Sequence, residues 1–488
     1  MQSKSHTNPT LIMIGLLLGG FVGMFSETAL NIALPQLEQQ LHVNTGTIQW
    51  LVTGYLLMVG IVLPLSSMLT KHFTTRQLII FALADFMVGA TISALAGGFA
   101  QLLIGRMIQG IATGLLLPLI FIVLLAVYPP QKRGAAMGLV GLVIMFAPAV
   151  GPTIAGIILG ALSWNWIFWL FVPLLAIALI ITIFFMQNVS ELTKPKVDAL
   201  SIVLSSVGFG GLVVGASLAG DRGWSNPLVV IALVIGIVGL LFYIYRQLHL
   251  TTPILNLRAF GFHRFSIGTA LVMIDFGIIM SSMYLLPMYW QKGLVVPVAM
   301  TGVLMLPGGV INAVISATSG RLFDNYGAKY LTRGGFALSF LGALMLIFTS
   351  THSPYWYVVT AHIILMIGAP LAMSPAQTYG LNALHGPVAA DGSTILNTLQ
   401  QILGALATAV ATSLLGIGQG ASNATGAASF VHGVHYGFWF TLALAVLGFC
   451  LSMFVSNEPE KAYDPLAEKR ANASDQPAGQ LDQAGSEN

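Results

Sequence analysis

Long apolar runs, separated by short polar connections, fill almost the whole chain. A spanning helix needs about 20 mostly apolar residues, and fourteen such runs lie near 10–34, 47–69, 76–96, 99–127, 134–160, 164–186, 199–219, 227–246, 265–290, 297–320, 330–349, 355–378, 394–416 and 434–456. The pattern predicts an all-α integral membrane protein with 14 transmembrane helices. The first run is too long for a signal-peptide core and no small-residue cleavage site follows it, so it reads as a retained span. Residues 457–488 are polar and poor in aromatics, the composition of a disordered cytoplasmic tail.

The basic residues test this count and set the sides. With both termini inside, all Lys and Arg fall in cytoplasmic connections or termini except Arg222 and Lys292, which fall outside, and Arg106, which lies within span four. That is the alternation the positive-inside rule requires. An internal repeat is also visible: SMLTKHFTTR (Ser67 to Arg76) and GRLFDNYGAK (Gly320 to Lys329) superpose when the chain is offset by 253 residues. A parallel repeat of this kind is a transporter signature, with substrate expected near the midplane between the halves. The division that follows is a cytoplasmic N-terminus (1–9), a six-helix bundle (10–186), an inserted helix pair with its loops (187–263), a second six-helix bundle (264–456) and the tail (457–488).

Composition narrows the classes further. The chain is 56% apolar and 7% charged, against about 25% charged in a soluble domain. A net charge of +3 with no basic tract gives no sign of nucleic-acid binding. Cys450 has no partner in the chain and reads as a small packing residue. No helical His/Glu metal motif, phosphate-binding Gly loop or acyl-transfer elbow is present, so nothing implies an enzyme or a cofactor. His432 and His435 are too few for a metal site and read as interfacial polar residues.

Several motifs carry a family resemblance. ETALNIALP (Glu27 to Pro35), GRMIQGIATG in span four, APAVGPTIAG and the following WNWIFWLFVP in spans five and six, and NTLQQILGALATA in span thirteen resemble the major facilitator superfamily. Within it they resemble the fourteen-helix drug:proton antiporters of the lincomycin-resistance and multidrug-export kind. The resemblance implies two six-helix bundles plus two inserted helices, and export coupled to protons. It also implies an antiporter motif at Pro148, Gly151, Pro152 and Gly156, and a cytoplasmic loop motif at Gly320, Asp324 and Gly327. The first copy of that loop departs from the pattern, with Ser67, Lys71 and Thr74 in place of Gly, Asp and Gly; Asn165 and Phe171 depart from the branch's usual Arg and Asn.

Ionisable residues inside spans are the sharpest candidates, since a charge at helix centre costs roughly 2.5–3.5 kcal/mol on insertion scales. Counting about 1.5 Å per residue, Glu27 and Arg106 both lie about 10 Å below the outer surface. They read either as a static ion pair or as a titrating pair in which protonation of Glu27 frees Arg106. Asp275, about 15 Å into span nine, reads as a cavity acid or a structural one; Asp85 reads as a supporting contact. In span four, Arg106, Gln109, Gly110 and Thr113 share one face, directed either into a cavity or into a buried network. Small residues and prolines in span five suit a close, rocking contact between the halves. Asn31, Asn397 and Gln401 are further cavity candidates, and Gln400 is a neighbouring amide. Phe276, Met280, Met283 and Tyr284 would form an adaptable apolar wall, with Tyr289 and Trp290 at the outer interface.

The expectation is a secondary active transporter, not an enzyme, that exports a small hydrophobic or cationic substrate in exchange for protons. It would work as a monomer in the lipid bilayer of a bacterial plasma membrane. The competing readings are a solute importer or facilitator of the same fold, and a membrane sensor or scaffold whose intramembrane charges are structural.

Overall fold

The structure, a computed structural model, describes residues 9–456 apart from 129, 190–191, 193–197, 251–252 and 385–386. The tail expected at 457–488 lies outside the described residues. The first bundle comprises α1 (Pro9–Gln40), α2 (Thr45–His72), α3 (Thr75–Ala94), α4 (Phe99–Val127), α5 (Pro130–Ala161) and α6 (Asn165–Phe185). A hairpin follows, α7 (Ala199–Arg222) and α8 (Pro227–His249). After a 3₁₀ turn at Leu257–Gly261 come α9 (His263–Met288), a π-helical turn at Tyr289–Gly293, α10 (Val298–Ile347), α11 (Tyr355–Leu381), α12 (Pro387–Gly420) and α13 (Ala427–Ser452). Among the described residues, 12 helices are long and apolar enough to cross a membrane, and α5 adds a shorter apolar stretch, Phe146–Ala161.

Spans ten and eleven of the sequence both fall within α10, which runs for 50 residues. Its backbone breaks at Gly327, where φ is 74° and ψ 174°, a conformation essentially reserved for glycine. The matching position in the first repeat is Thr74, with φ −66° and ψ 146°. Any residue adopts that extended conformation, and threonine uses it to cap α3: its hydroxyl accepts from Gln77 N while the Gln77 side chain reaches back, a capping box. The departure from Gly at Thr74 therefore has a backbone cause. The two loops turn by different means.

The bundles repeat one packing scheme. In the first, α1 packs on α4, α5 and α6, while α3 packs on α4 and α6; in the second, α9 packs on α11, α12 and α13, while α10 packs on α11 and α13. The halves meet along α5–α10 and α2–α12. On the second seam, α7 packs against both α2 and α12, and α8 packs on α7 with its apolar side chains, such as Leu241 and Phe242, directed outward. Asn165, one of the family departures, donates to the Ala94 carbonyl at 2.8 Å and ties α6 to α3. Phe171, the other, is buried and meets Phe25 of α1 edge-on at 5.6 Å. Cys450 is not a packing residue: its side chain lies on the exposed surface of α13.

A polar clasp fixes one end of the hairpin. Asp198 caps α7 by accepting from Ser201 N, and its carboxylate meets Arg246 Nη2 of α8 at 2.8 Å. Gln247 donates to Ser201 Oγ at 2.7 Å and accepts from Ile254 N at 2.8 Å. Desolvation pushes the Asp198 carboxyl up, but hydrogen bonds from Arg246 and Ser201 outweigh it and hold the group below the ordinary carboxylate value.

Two outcomes follow. Gly327→Thr loses about 1–3 kcal/mol of stability, whereas Thr74→Gly loses only a few tenths, compared as thermal unfolding of the purified protein in detergent. Because Asp198 binds its proton less readily when folded, its stabilising contribution is present at neutral pH and is lost as pH falls from about 4 through the depressed value. Melting curves between pH 3 and 7 show that loss, and Asp198→Asn flattens it.

Candidate functional site

A cavity of about 200 Å³ lies between the halves, walled by α1, α5, α9, α10, α11 and α12. Its surface is mostly apolar, with five methionines: Met24, Met280, Met283, Met366 and Met373. Thioethers on flexible stems fill irregular gaps and adapt to different shapes. Phe276 and Ile279 complete the α9 wall. Polar groups are few, and the acid among them is Glu27. Asn312, Ser316, Ser374 and Gln377 are partly exposed, whereas Glu27, Phe276 and Met283 are buried. The cavity thus opens toward the side where α10 breaks at Gly327 and α11 ends, and is closed at the side where α1 ends.

Glu27 is 2% exposed, and its Oε2 has no hydrogen-bond partner. Its neighbour Thr28 shares the cavity wall, and Thr28 Oγ1 is 3.4 Å from the Pro148 carbonyl of α5. The expected direct pair between Glu27 and Arg106 does not form in this structure. Each nitrogen of Arg106 is instead held by neutral groups: Nε donates to the Leu51 carbonyl at 3.1 Å, Nη1 to Ser26 Oγ at 2.5 Å and Gln109 Oε1 at 2.9 Å, and Nη2 to the Ser26 carbonyl at 3.2 Å. Its guanidinium also sits 4.2 Å from the Tyr55 ring centroid, a cation–π contact that gains strength when desolvated.

That network accounts for the polar face of span four. Gln109 passes on to Ser93 Oγ at 3.0 Å, and Thr113 meets Tyr55 Oη at 2.8 Å while that hydroxyl donates to the Gly23 carbonyl. The face is packed among α1, α2 and α3 rather than turned to the cavity, so Gln109 and Thr113 are not lining residues. Neither are Asn31, Asn397 and Gln401; the lining amide of α12 is Gln400, one position from the residue expected. Tyr289 and Trp290 are buried too, the first donating to the Ser350 carbonyl at 2.6 Å, so they are core residues and not an interfacial belt. Each of His432 and His435 is tied to a backbone carbonyl, of Gly418 and Thr349 respectively.

Asp275 is fully buried on α9, and neither of its oxygens has a hydrogen-bond partner. It does not line the cavity, although Phe276 and Ile279 on the same helix do. Asp85 on α3 is partly buried with one unpartnered oxygen. Asp324 is exposed, three residues before the break at Gly327 and four past Gly320.

The small residues of α5 bring it close to α1 within its own bundle and to α10 of the other half. Gly151 lies against α1, where an added Cβ would fall 2.6 Å from Thr28 Oγ1; Gly156 lies against α10, where it would fall 2.9 Å from Gly302 Cα. Thr153 Oγ1 donates to the Gly302 carbonyl at 2.8 Å. Pro148 lines the cavity and Pro152 is buried beside Gly302. Sequence reasoning missed Asn312, Ser316, Ser374 and Gln377. Isolated polar residues on spans ten and twelve were their only signal, and Ser374 and Gln377 at i, i+3 share a face.

The arrangement has counterparts among known proteins. A family model described as Major Facilitator Superfamily matches residues 16–408. The chain is 48% identical to lincomycin resistance protein LmrB of Bacillus subtilis (strain 168) over 455 residues, covering 91% of this chain and 95% of that one. It is 27% identical to multidrug export protein EmrB of Haemophilus influenzae over 417 residues, covering 82% and 79%. A crystal structure of peptide transporter POT in complex with sulfate superposes with TM-score 0.65 at 17% identity, covering 90% of this chain and 94% of that one, a likeness of fold. By sequence and by fold, this multi-pass membrane protein belongs to the major facilitator superfamily.

Proposed function

We propose that the protein exports hydrophobic or cationic drugs in exchange for protons, by alternating access of the cavity to the two sides of the membrane. The observation that carries this reading is Glu27: a buried carboxyl on the wall of an adaptable apolar cavity, with no ion-pair partner and its neighbouring guanidinium already satisfied. Such a group can take a proton without breaking a salt bridge, and can lose it when Arg106 or a cationic substrate comes closer. The relatives named for lincomycin resistance and multidrug export support a drug as the substrate. The close approach of α5 to α10 supports movement of the halves as rigid bodies.

In this reading the chain crosses the membrane fourteen times with both termini in the cytoplasm. Breaking α10 at Gly327 and counting α5 as a full span supports that number. The cavity then faces inward. Substrate enters from the cytoplasm, the halves rock, and protonation of Glu27 on the outer side favours release. Coupling requires only that proton and substrate prefer different states of the same protein. Asp275 is the second candidate proton carrier, reached when the cavity changes shape. Gln400, Asn312 and Gln377 orient substrate from the opposite walls.

Reconstituted in liposomes, the protein takes up lincomycin or a lipophilic cation when the lumen is acidic, with measurable proton counterflow. Flux indifferent to the pH gradient removes the antiport reading. Glu27→Gln keeps its fold and loses gradient-driven transport by tenfold or more, about 1.4 kcal/mol or larger in the coupled step. Undiminished coupled transport by that variant, with loss in Asp275→Asn, assigns the proton to Asp275 instead.

A further inference from the structure

The closed end of the cavity is fastened by charged and polar contacts between the halves. Lys292 Nζ lies 2.6 Å from Glu38 Oε2, with the two side chains only 20% and 15% exposed. Thr45 Oγ1 donates to the other Glu38 oxygen at 3.0 Å, and Lys292 Nζ sits 5.3 Å from the Phe430 ring centroid. Next to it, Gln291 Nε2 donates to the Ile32 carbonyl of α1 at 2.9 Å. Glu38 and Ile32 belong to α1, and Lys292 and Gln291 to the π-helical turn that ends α9, so the Glu38–Lys292 pair and the Gln291–Ile32 bond cross from one bundle to the other, while Thr45 and Phe430 support the pair from within their own bundles.

The local backbone is built to hold these groups. Widening the last turn of α9 into a π-helix re-aims Gln291 and Lys292, as such turns do at functional sites. Its end is pinned by Leu294 N to the Tyr289 carbonyl at 3.0 Å and Val296 N to the Trp290 carbonyl at 2.8 Å. Between them Val295 has φ 55°, strained for a β-branched residue. Lys292 is also one of the two basic residues that the charge pattern leaves outside. Its carboxylate partner explains its presence there.

We propose that Glu38 and Lys292 form an outer latch that sets the balance between the inward-facing and outward-facing states. This rests on the alternating-access reading. With the cavity open to the cytoplasm, the pair and the Gln291 bond join α1 to α9; opening outward separates both and exposes the two charges to water. A partly buried pair loses more on removal of one partner than on separation into solvent, because the remaining charge stays desolvated. The latch is therefore reversible in the intact protein and one-sided in a single variant.

The test uses the full chain in nanodiscs, with Cys450→Ser and spin labels at Gln40→Cys and His352→Cys, both exposed at the outer end of opposite bundles. A second pair, Phe73→Cys with Asn325→Cys, reads the cytoplasmic side. Glu38→Gln or Lys292→Gln shifts the population about tenfold toward the longer outer distance, with the cytoplasmic distance shortening in parallel. The exchange Glu38→Lys with Lys292→Glu returns both distributions toward those of the parent. Single variants that keep the parent's outer distance, or distributions that broaden at both ends without the reciprocal change, overturn the latch. These distances need neither substrate nor gradient. A latch response in protein that shows no pH-driven flux leaves the latch standing and removes the antiport reading; flux without a latch response does the reverse.

Discussion

A guanidinium buried in an apolar bundle is costly unless its nitrogens find acceptors, and the first half of the protein is organised around meeting that demand for Arg106. Carbonyls of Leu51 and Ser26, the Ser26 hydroxyl, the Gln109 amide and the Tyr55 ring surround it. These groups draw α1, α2 and α4 together. Since they are neutral, the positive charge is solvated without being cancelled, and its field reaches Glu27 one residue beyond Ser26. The acid is left with an electrostatic neighbour and no bond to break. In the proposed export cycle, this is what would let a single proton or a single cation reset the charge balance of the cavity.

The second half repeats the packing of the first without repeating its chemistry. Asp275, in the helix equivalent to α1, has no guanidinium and no hydrogen bond. Its loop turns through a left-handed glycine where the first loop uses a capped threonine. Within the first half α5 approaches α1 at Gly151, and across the halves it approaches α10 at Gly156, closely enough that an added methyl group would collide. Small residues let the helix backbones approach this closely.

What the sequence made legible is what the bilayer imposes: run length, the alternation of basic residues and the repeat between Ser67 and Gly320. Membrane thickness and the cost of moving charge across it leave little choice there. Rotation of each helix about its axis was less readable. Arg106, Gln109 and Thr113 do share a face, but a polar face meets a cavity or a partner helix with the same spacing, and here it meets helices. The lining amide on α12 is Gln400 and not Gln401, a difference of about 100° around the helix. Tyr289 and Trp290 sit at the depth of an aromatic belt, yet Phe438 and Tyr355 pack against them. Depth alone does not say whether lipid or protein lies alongside.

The hairpin α7–α8 bears on how a lipophilic compound reaches the protein. Where the halves meet along α2 and α12, α7 lies against both helices and α8 shields α7 in turn. A molecule dissolved in the surrounding lipid that diffuses to this seam meets a wall of valine, leucine and phenylalanine instead of a crevice between mobile bodies. In the proposed export cycle, a lipophilic compound would therefore reach the cavity by the α5–α10 seam or the aqueous mouth, and not across the seam of α2 and α12.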